Sequence, residues 1–231
     1  MGIAQSPQLI TAAPVPPTSA RRELRVGGLT PLTTVDYPGE LAAVVFCQGC
    51  PWRCRYCHNG HLLPPRAAEL IPWAQVRAFL EARRGLLDAV VFSGGEPTLQ
   101  PALGAAMTQA RALGFKVGLH SSGAYPARIE ALLPLLDWVG LDIKALPEHY
   151  PAITGVPGSG ERAWASLRLL LAAGVPLQVR TTLMPGQDGP AQLATLPERL
   201  AALGVREHRI QSCRTGHTLD PTLAAESARV L

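Results

Sequence analysis

Lysine is all but missing from this chain: Lys116 and Lys144 stand against 19 arginines. The positive charge is thinly spread. The net charge is +4, and no basic run is longer than Arg21-Arg22 or Arg83-Arg84. A stripe that could track a phosphate backbone is lacking, which argues against nucleic acid as a partner. Long apolar runs are lacking too. The longest, residues 41–47, has the length of a strand, far short of the roughly 20 residues that a membrane-spanning helix needs. No membrane partner is expected. Residues 1–20 have neither a charged start nor an apolar stretch, and Arg21-Arg22 is followed by Glu-Leu-Arg, so neither a secretory nor a twin-arginine signal is read. A reducing cytoplasm is the default location. Charged residues make up only 16% and aromatics 5%, yet 47% of the 231 residues are hydrophobic. That suffices for a full core and excludes a wholly disordered chain.

Residues 1–24, rich in Pro, Ala, Ser and Thr, read as a flexible tail, and 25–231 as one domain. In the latter, short apolar runs alternate with segments of helical period. Strands are expected at 41–46, 88–92, 116–121, 138–143, 176–183 and 207–211. Helices are expected at 72–84, 101–113, 126–136, 160–173 and 190–203, several of them opened by proline or closed by glycine. About six β-α units imply an α/β fold with parallel strands and right-handed crossovers. A closed eightfold barrel typically takes about 250 residues. The core here is shorter, so a partial (βα)6 barrel, an open TIM-like barrel, is the expectation and a doubly wound sheet the rival. Either puts the active site at the carboxyl ends of the strands.

Cysteine is the telling residue. There are five, and four fall close together after the first parallel strand: Cys47, Cys50, Cys54 and Cys57. Such clustering suits a metal better than a disulfide framework. All four could close a tetrahedral zinc site. Alternatively Cys50, Cys54 and Cys57 take three irons of an iron–sulfur cube, one thiolate each, and leave the fourth iron open. A redox pair, Cys47 with Cys50, is a third reading. Spacing alone leaves these open.

The rest of the constellation narrows the choice. Cys50-x-x-x-Cys54-x-x-Cys57, with Tyr56 before the last cysteine, resembles the signature of the radical S-adenosylmethionine superfamily. One β-α unit later, Ser93-Gly94-Gly95-Glu96-Pro97 is similar to that superfamily's glycine-rich motif for the methionine end of the cofactor. Two glycines let a backbone approach a ligand closely, Glu96 offers a carboxylate to an ammonium, and Pro97 begins the following helix. Thr34-Val35-Asp36-Tyr37-Pro38-Gly39, Tyr56-Cys57-His58-Asn59, Asp142-Ile143-Lys144, Arg180-Thr181-Thr182 and Arg214-Thr215-Gly216-His217-Thr218-Leu219 resemble the glycyl-radical-enzyme activating enzymes. Within these, they look like the branch named for the anaerobic ribonucleoside-triphosphate reductase.

The resemblance implies that Cys50, Cys54 and Cys57 hold a [4Fe–4S] cluster whose open iron takes S-adenosylmethionine. Reductive cleavage then gives a 5′-deoxyadenosyl radical, which removes a hydrogen from a glycine of a partner glycyl radical enzyme. An electron donor such as flavodoxin completes the set. Asp142 and Lys144, two apart on a strand, share a face, and the resemblance makes Lys144 a contact of the cofactor's carboxylate. Arg180 is either a similar contact or a structural ion pair. The resemblance makes Tyr56 either a neighbour of the adenine or ordinary packing, His58 and Asn59 hydrogen-bond partners of cluster sulfurs or the cofactor, and Trp52 either a shield of the cluster or plain loop packing.

Two departures stand out. Leu119-His120-Ser121-Ser122-Gly123 occupies the place of an Asp-Thr-Asn-Gly stretch whose Asp serves the cofactor and a monovalent cation in the activating enzymes. His120 replaces that Asp, which takes the carboxylate from the cation site; His120 is either a contact of the cofactor or a partner or a satisfied core histidine, and Ser122 is a candidate cofactor contact. Cys47 and Cys213 read as small buried thiols, since Cys47 as a fourth ligand would close the open iron. Two other functions remain: a radical enzyme for a small molecule, akin to a 7-deazaguanine synthase, and more remotely a zinc-stabilised binding module, in which Gly94–Pro97 and Lys144 have no task.

Overall fold

The runs at 42–47, 89–92 and 138–141 are apolar throughout, and such runs are stable only when both faces are covered. The computed structural model describes residues 23–184 and 190–223, and in it these runs lie almost wholly buried within a seven-stranded sheet. Of the tail expected at 1–24, residues 1–22 lie outside the described residues, and Leu24 is buried in the core. The strands are β1 (Val26–Thr33), β2 (Ala42–Cys47), β3 (Ala89–Gly94), β4 (Lys116–Ser121), β5 (Trp138–Asp142), β6 (Leu177–Leu183) and β7 (His208–Ser212). The helices are α1 (Trp73–Ala82), α2 (Leu103–Ala112), α3 (Pro126–Leu132), α4 (Tyr150–Thr154), α5 (Ser159–Ala173) and α6 (Pro190–Ala202).

Strand order in the sheet follows chain order from β1 to β7. β2 to β7 are all parallel, and β1 runs antiparallel to β2. A doubly wound sheet reverses its order at a switch point, and this one never does. It is an open partial barrel of six parallel strands with one added edge strand. β1 is the element that sequence pattern misses. Val-Gly-Gly-Leu-Thr-Pro-Leu-Thr has no alternation and carries Pro31, and only an edge position tolerates that. The expected 126–136 helix is shorter than its pattern: α3 ends at Leu132 and a 3-10 turn, Leu133–Leu135, takes over at Pro134, which has no N–H to donate. The short α4 is likewise unforeseen. α1 buries Trp73, Val76 and Leu80, the stripe its spacing implies.

Alternate residues of each strand point to opposite faces. Val45 and Cys47 join the layer under the helices, whereas Ala42, Val44, Ala89, Val91 and Trp138 form a separate cluster inside the barrel with Tyr37. The Tyr37 and Trp138 rings lie 5.2 Å apart, and the edge of Trp138 meets His120 at 5.4 Å. This apolar plug fills the amino-terminal part of the barrel and leaves the carboxyl ends to polar side chains. Truncation of the plug by Trp138→Ala is expected to cost about 3–5 kcal/mol in urea unfolding. Leu86→Ala, at a position 62% exposed, should stay within about 0.5 kcal/mol. A similar loss in both would show that the plug carries no special weight.

Candidate functional site

Above the plug the same inward faces turn polar. Ser93 of β3, His120 of β4, Asp142 of β5, Arg180 and Thr182 of β6 and Gln211 of β7 line one cavity of about 530 Å3. That volume is in the range of sites for small organic ligands, about 300–1,000 Å3. The opposite wall is the loop after β2. Cys50, Cys54 and Cys57 all face this cavity, together with Trp52, Tyr56, His58 and Asn59.

The loop has little regular structure and is held from outside. The Gly49 and Cys50 N–H groups donate to the Leu62 and Leu63 carbonyls at 2.7 and 3.1 Å, and the Gln48 amide donates to the carbonyls of His61 and Pro64. Arg53 and Arg55 N–H donate to Thr154 and Ile153 at the end of α4. The C-terminal segment straps the far side. Leu219 N–H donates to the Cys57 carbonyl at 3.1 Å and Asp220 N–H to that of Arg55 at 2.9 Å. The Arg55 guanidinium meets the Asp220 carboxylate at 2.6 Å, and His58 Nε2 donates to the Arg214 carbonyl. Asp220 is held at about 2 by its hydrogen bonds from Thr222 and Arg55.

Cys47 takes no part. It is fully buried on the helix-facing side of β2 and does not line the cavity. Three thiols rather than four are therefore available, as a cube with one open iron requires and a four-thiolate zinc site does not. Burial pushes the Cys50 thiol up to about 12 and raises Cys54 as well. Such thiols ionise when a metal takes the proton's place, because a coordinated thiol is deprotonated outright. The donor set and the cavity fit an iron–sulfur cluster with a ligand of the size of S-adenosylmethionine. Cys213 sits half-buried, away from the cavity, and burial raises its thiol.

The glycine-rich turn does two things. Gly94, at φ 116°, and Gly95 line the cavity. They also let two loops touch, since a Cβ on Gly95 would stand 2.3 Å from the Gly49 carbonyl oxygen. Gly95 N–H donates to the Cys47 carbonyl and Glu96 N–H to that of Gly49, both at 2.9 Å. Pro97 opens a 3-10 turn, not the helix itself, and neither it nor Glu96 lines the cavity. The Glu96 carboxylate is fully buried behind the wall. It accepts from Thr98 N–H and hydroxyl, from the Ser121 hydroxyl at 2.9 Å, and from Ser122 N–H and hydroxyl at 2.8 and 2.5 Å. Ser122 itself reaches the cavity wall.

On the strand side the charges are interlocked. Asp142 and Lys144 both reach the cavity, with Nζ 3.5 Å from Oδ2, and Lys144 also stands 5.3 Å from the Tyr56 ring centroid. Burial opposes the Lys144 charge, but Tyr56, Cys54 and Asp142 outweigh it and hold the ammonium well above its usual range. Arg180 pairs with Asp142 at 3.1 Å and still lines the cavity, so ion pair and cavity contact coexist. Burial works against the Asp142 charge too, yet Arg180 and Lys144 keep it low. His120 donates from Nε2 to the Asp36 carbonyl at 2.8 Å, which leaves Nδ1 toward the Arg180 guanidinium at 3.4 Å. Gly140 makes room for both, because a Cβ there would meet them at 2.9 and 3.3 Å. Burial and then Arg180 push His120 down to about 4, so it is neutral near pH 7. Thr182, Gln211, Ser212 and Arg214 also line the cavity. Thr182 and Arg214 stand in segments that resemble the activating enzymes but are not among the candidates there, although Thr182 lies two residues beyond Arg180 and so on the same face; Gln211 and Ser212 carry no motif.

Two outcomes follow. Glu96→Ala leaves the buried donors of Ser121, Ser122 and Thr98 without an acceptor, and should cost the apo-protein more than about 2 kcal/mol in chemical unfolding. A group that met only a ligand would leave apo stability unchanged. As pH falls from 6.5 to about 4, the unfolded chain gains a proton on His120 that the folded chain refuses. Stability should therefore drop through that window and level off below it, and His120→Gln should flatten that part of a pH series of melting curves.

The sequence pattern of the Radical SAM superfamily matches residues 44–190. The chain is 31% identical over 180 residues to a Methanocaldococcus jannaschii protein that carries the name glycyl-radical enzyme activating enzyme, covering 69% of this chain and 68% of that one. It is 33% identical over 185 residues to the pyruvate formate-lyase-activating enzyme of Streptococcus mutans, covering 74% and 69%. Among solved structures, Streptococcus suis SuiB bound to its precursor peptide SuiA superposes with a TM-score of 0.63 at 14% identity. That match covers 81% of this chain and 44% of SuiB, so it speaks for the barrel alone. With the matched pattern spanning both the cysteine loop and the strand ends that face it, the chain belongs to the radical SAM superfamily, enzymes of radical chemistry, close to the activating enzymes of glycyl radical enzymes.

Proposed function

We propose that the chain is an activase: it generates a glycyl radical on a partner enzyme, such as an anaerobic ribonucleoside-triphosphate reductase. Residues 25–231 act as one catalytic domain, in the cytoplasm, with flavodoxin or a similar carrier as electron donor. The observation that carries the reading is the meeting of three thiols, the Gly94-Gly95 turn and the Asp142–Lys144 pair on one cavity. The named activities of the two relatives support the protein target.

When bound, the cluster and S-adenosylmethionine supply a 5′-deoxyadenosyl radical at the cost of one electron. The chain binds and orients. Cys50, Cys54 and Cys57 hold the cluster, and Cys47, turned away, leaves one iron free. Lys144 offers a permanent cation to the methionine carboxylate, and Asp142 a carboxylate beside it. Gly94 and Gly95 let the cofactor lie against backbone. Tyr56 packs by the adenine, and Ser122, Arg180 and neutral His120 supply hydrogen bonds around it. Glu96 and Pro97 serve the same site from behind, by fixing the turn. Trp52, fully buried at the edge of Tyr150, keeps water from the cluster side.

Cys54→Ala is expected to lose at least half of the iron bound after anaerobic reconstitution and all cleavage of S-adenosylmethionine, while Cys47→Ala keeps both. With the host's anaerobic ribonucleotide reductase added, the wild type should give the electron paramagnetic resonance doublet of a glycyl radical. Cleavage without a doublet would retain the radical chemistry and remove the activase. Zinc in place of iron would remove both.

A further inference from the structure

A glycine that is to lose a hydrogen offers no side chain to recognise. Whatever positions it must hold the backbone on either side, and a free strand edge is the protein element that does so. This inference rests on the activase reading.

The sheet ends in β7. Val179 N–H donates to the Glu207 carbonyl and Cys213 N–H to the Leu183 oxygen, both at 2.9 Å, donor to acceptor. Backbone groups alternate in direction along a strand, so Glu207, Arg209, Gln211 and Cys213 turn theirs to β6. His208, Ile210 and Ser212 turn theirs to the outer edge. Among the described residues nothing pairs with that edge. The strand is exposed from Arg209 to Ser212, with Ile210 49% accessible. Within residues 208–212 there is no proline and no lysine, and the one arginine is tied to Glu207 at 3.2 Å. The edge is also continuous with the site, because Gln211 and Ser212 at its carboxyl end line the cavity.

We propose that the outer edge of β7 is the docking edge for an extended segment of the protein substrate. The segment adds as a further strand through the N–H and C=O groups of His208, Ile210 and Ser212 and carries the target glycine over the cavity mouth beside Ser212.

Ile210→Pro tests this, since it removes an outward N–H and leaves the ladder to β6 intact. Ile210→Ala removes the side chain and keeps the N–H. With dithionite as reductant, both variants should cleave S-adenosylmethionine without partner at the wild-type rate. On the host's glycyl radical enzyme, Ile210→Pro should form the glycyl doublet more than tenfold slower, and Ile210→Ala within about twofold of wild type. Amide hydrogen exchange on the wild type gives a readout free of any folding defect: Ile210 and Ser212 should slow when the partner is bound. Equal rates for Ile210→Pro and wild type, equal losses in both variants, or unchanged exchange would each overturn the proposal. So would a dimer that Ile210→Pro converts to monomer before any partner is added, which assigns the edge to a second copy. A wild type that cleaves the cofactor yet leaves no doublet ends the activase reading and this one together, and shows before any substitution is made.

Discussion

The Glu96 carboxylate has no basic side chain against it among the described residues, and it is fully buried. Its charge is borne by hydrogen bonds alone, five of them, from Thr98, Ser121 and Ser122. Each of those donors has no other acceptor as strong, so the arrangement is all or nothing: a partly satisfied buried charge is worse than none. Through it the turn after β3 is fixed to the end of β4. Through Gly95 and Glu96 N–H the same turn is fixed to the cysteine loop after β2. Three loops that a barrel would otherwise leave independent thus move as one body. Radical chemistry of the kind this superfamily performs depends on such fixed placement, because small displacements cost orders of magnitude in rate.

The rest of the barrel supplies a polarity step. Tyr37 and Trp138 close the interior below, and above them the inward positions of β3 to β6 carry Ser93, His120, Asp142 and Arg180. His120 bridges the two regions, with its ring on Trp138 and its nitrogens on Asp36 and Arg180. It is a neutral spacer next to a cation, which is why burial does not force it out. Above it, Lys144, Arg180 and Arg214 face the cavity against Asp142, the one carboxylate there among the described residues. In a protein with two lysines, one lies on the surface against Glu40 and the other here. The cavity is thereby suited to ligands that bring negative charge.

Much of this was legible in advance because it rests on short-range pattern. Parallel strands announce themselves as apolar runs, and Cys50, Cys54 and Cys57 are eight residues of one loop. Asp142 ends β5 and Lys144 follows two residues on, and both reach the cavity as that spacing implies. What pattern did not show was whatever depends on partners distant in sequence. β1 has no strand signal of its own and exists because β2 offers an edge. Glu96 looked like a ligand for an ammonium, since nothing nearby in sequence reveals Ser121 and Ser122 as its donors. Gln211 and Ser212 carry no motif and reach the cavity only because β7 is the last strand of an open sheet. Cys47 is decided by parity alone: one position along β2 would have turned it into the barrel.

The strap across the cysteine loop sets a timetable. The loop is made early, but Asp220, which braces Arg55, comes 165 residues later. Until β7 and the segment behind it have left the ribosome, the three thiols are held on one side only, and a cluster inserted then would sit in an unfinished cradle. Completion of that cradle is therefore a post-translational event for this fold. Nascent chains stalled short of residue 220 should emerge with their cysteines still open to oxidants.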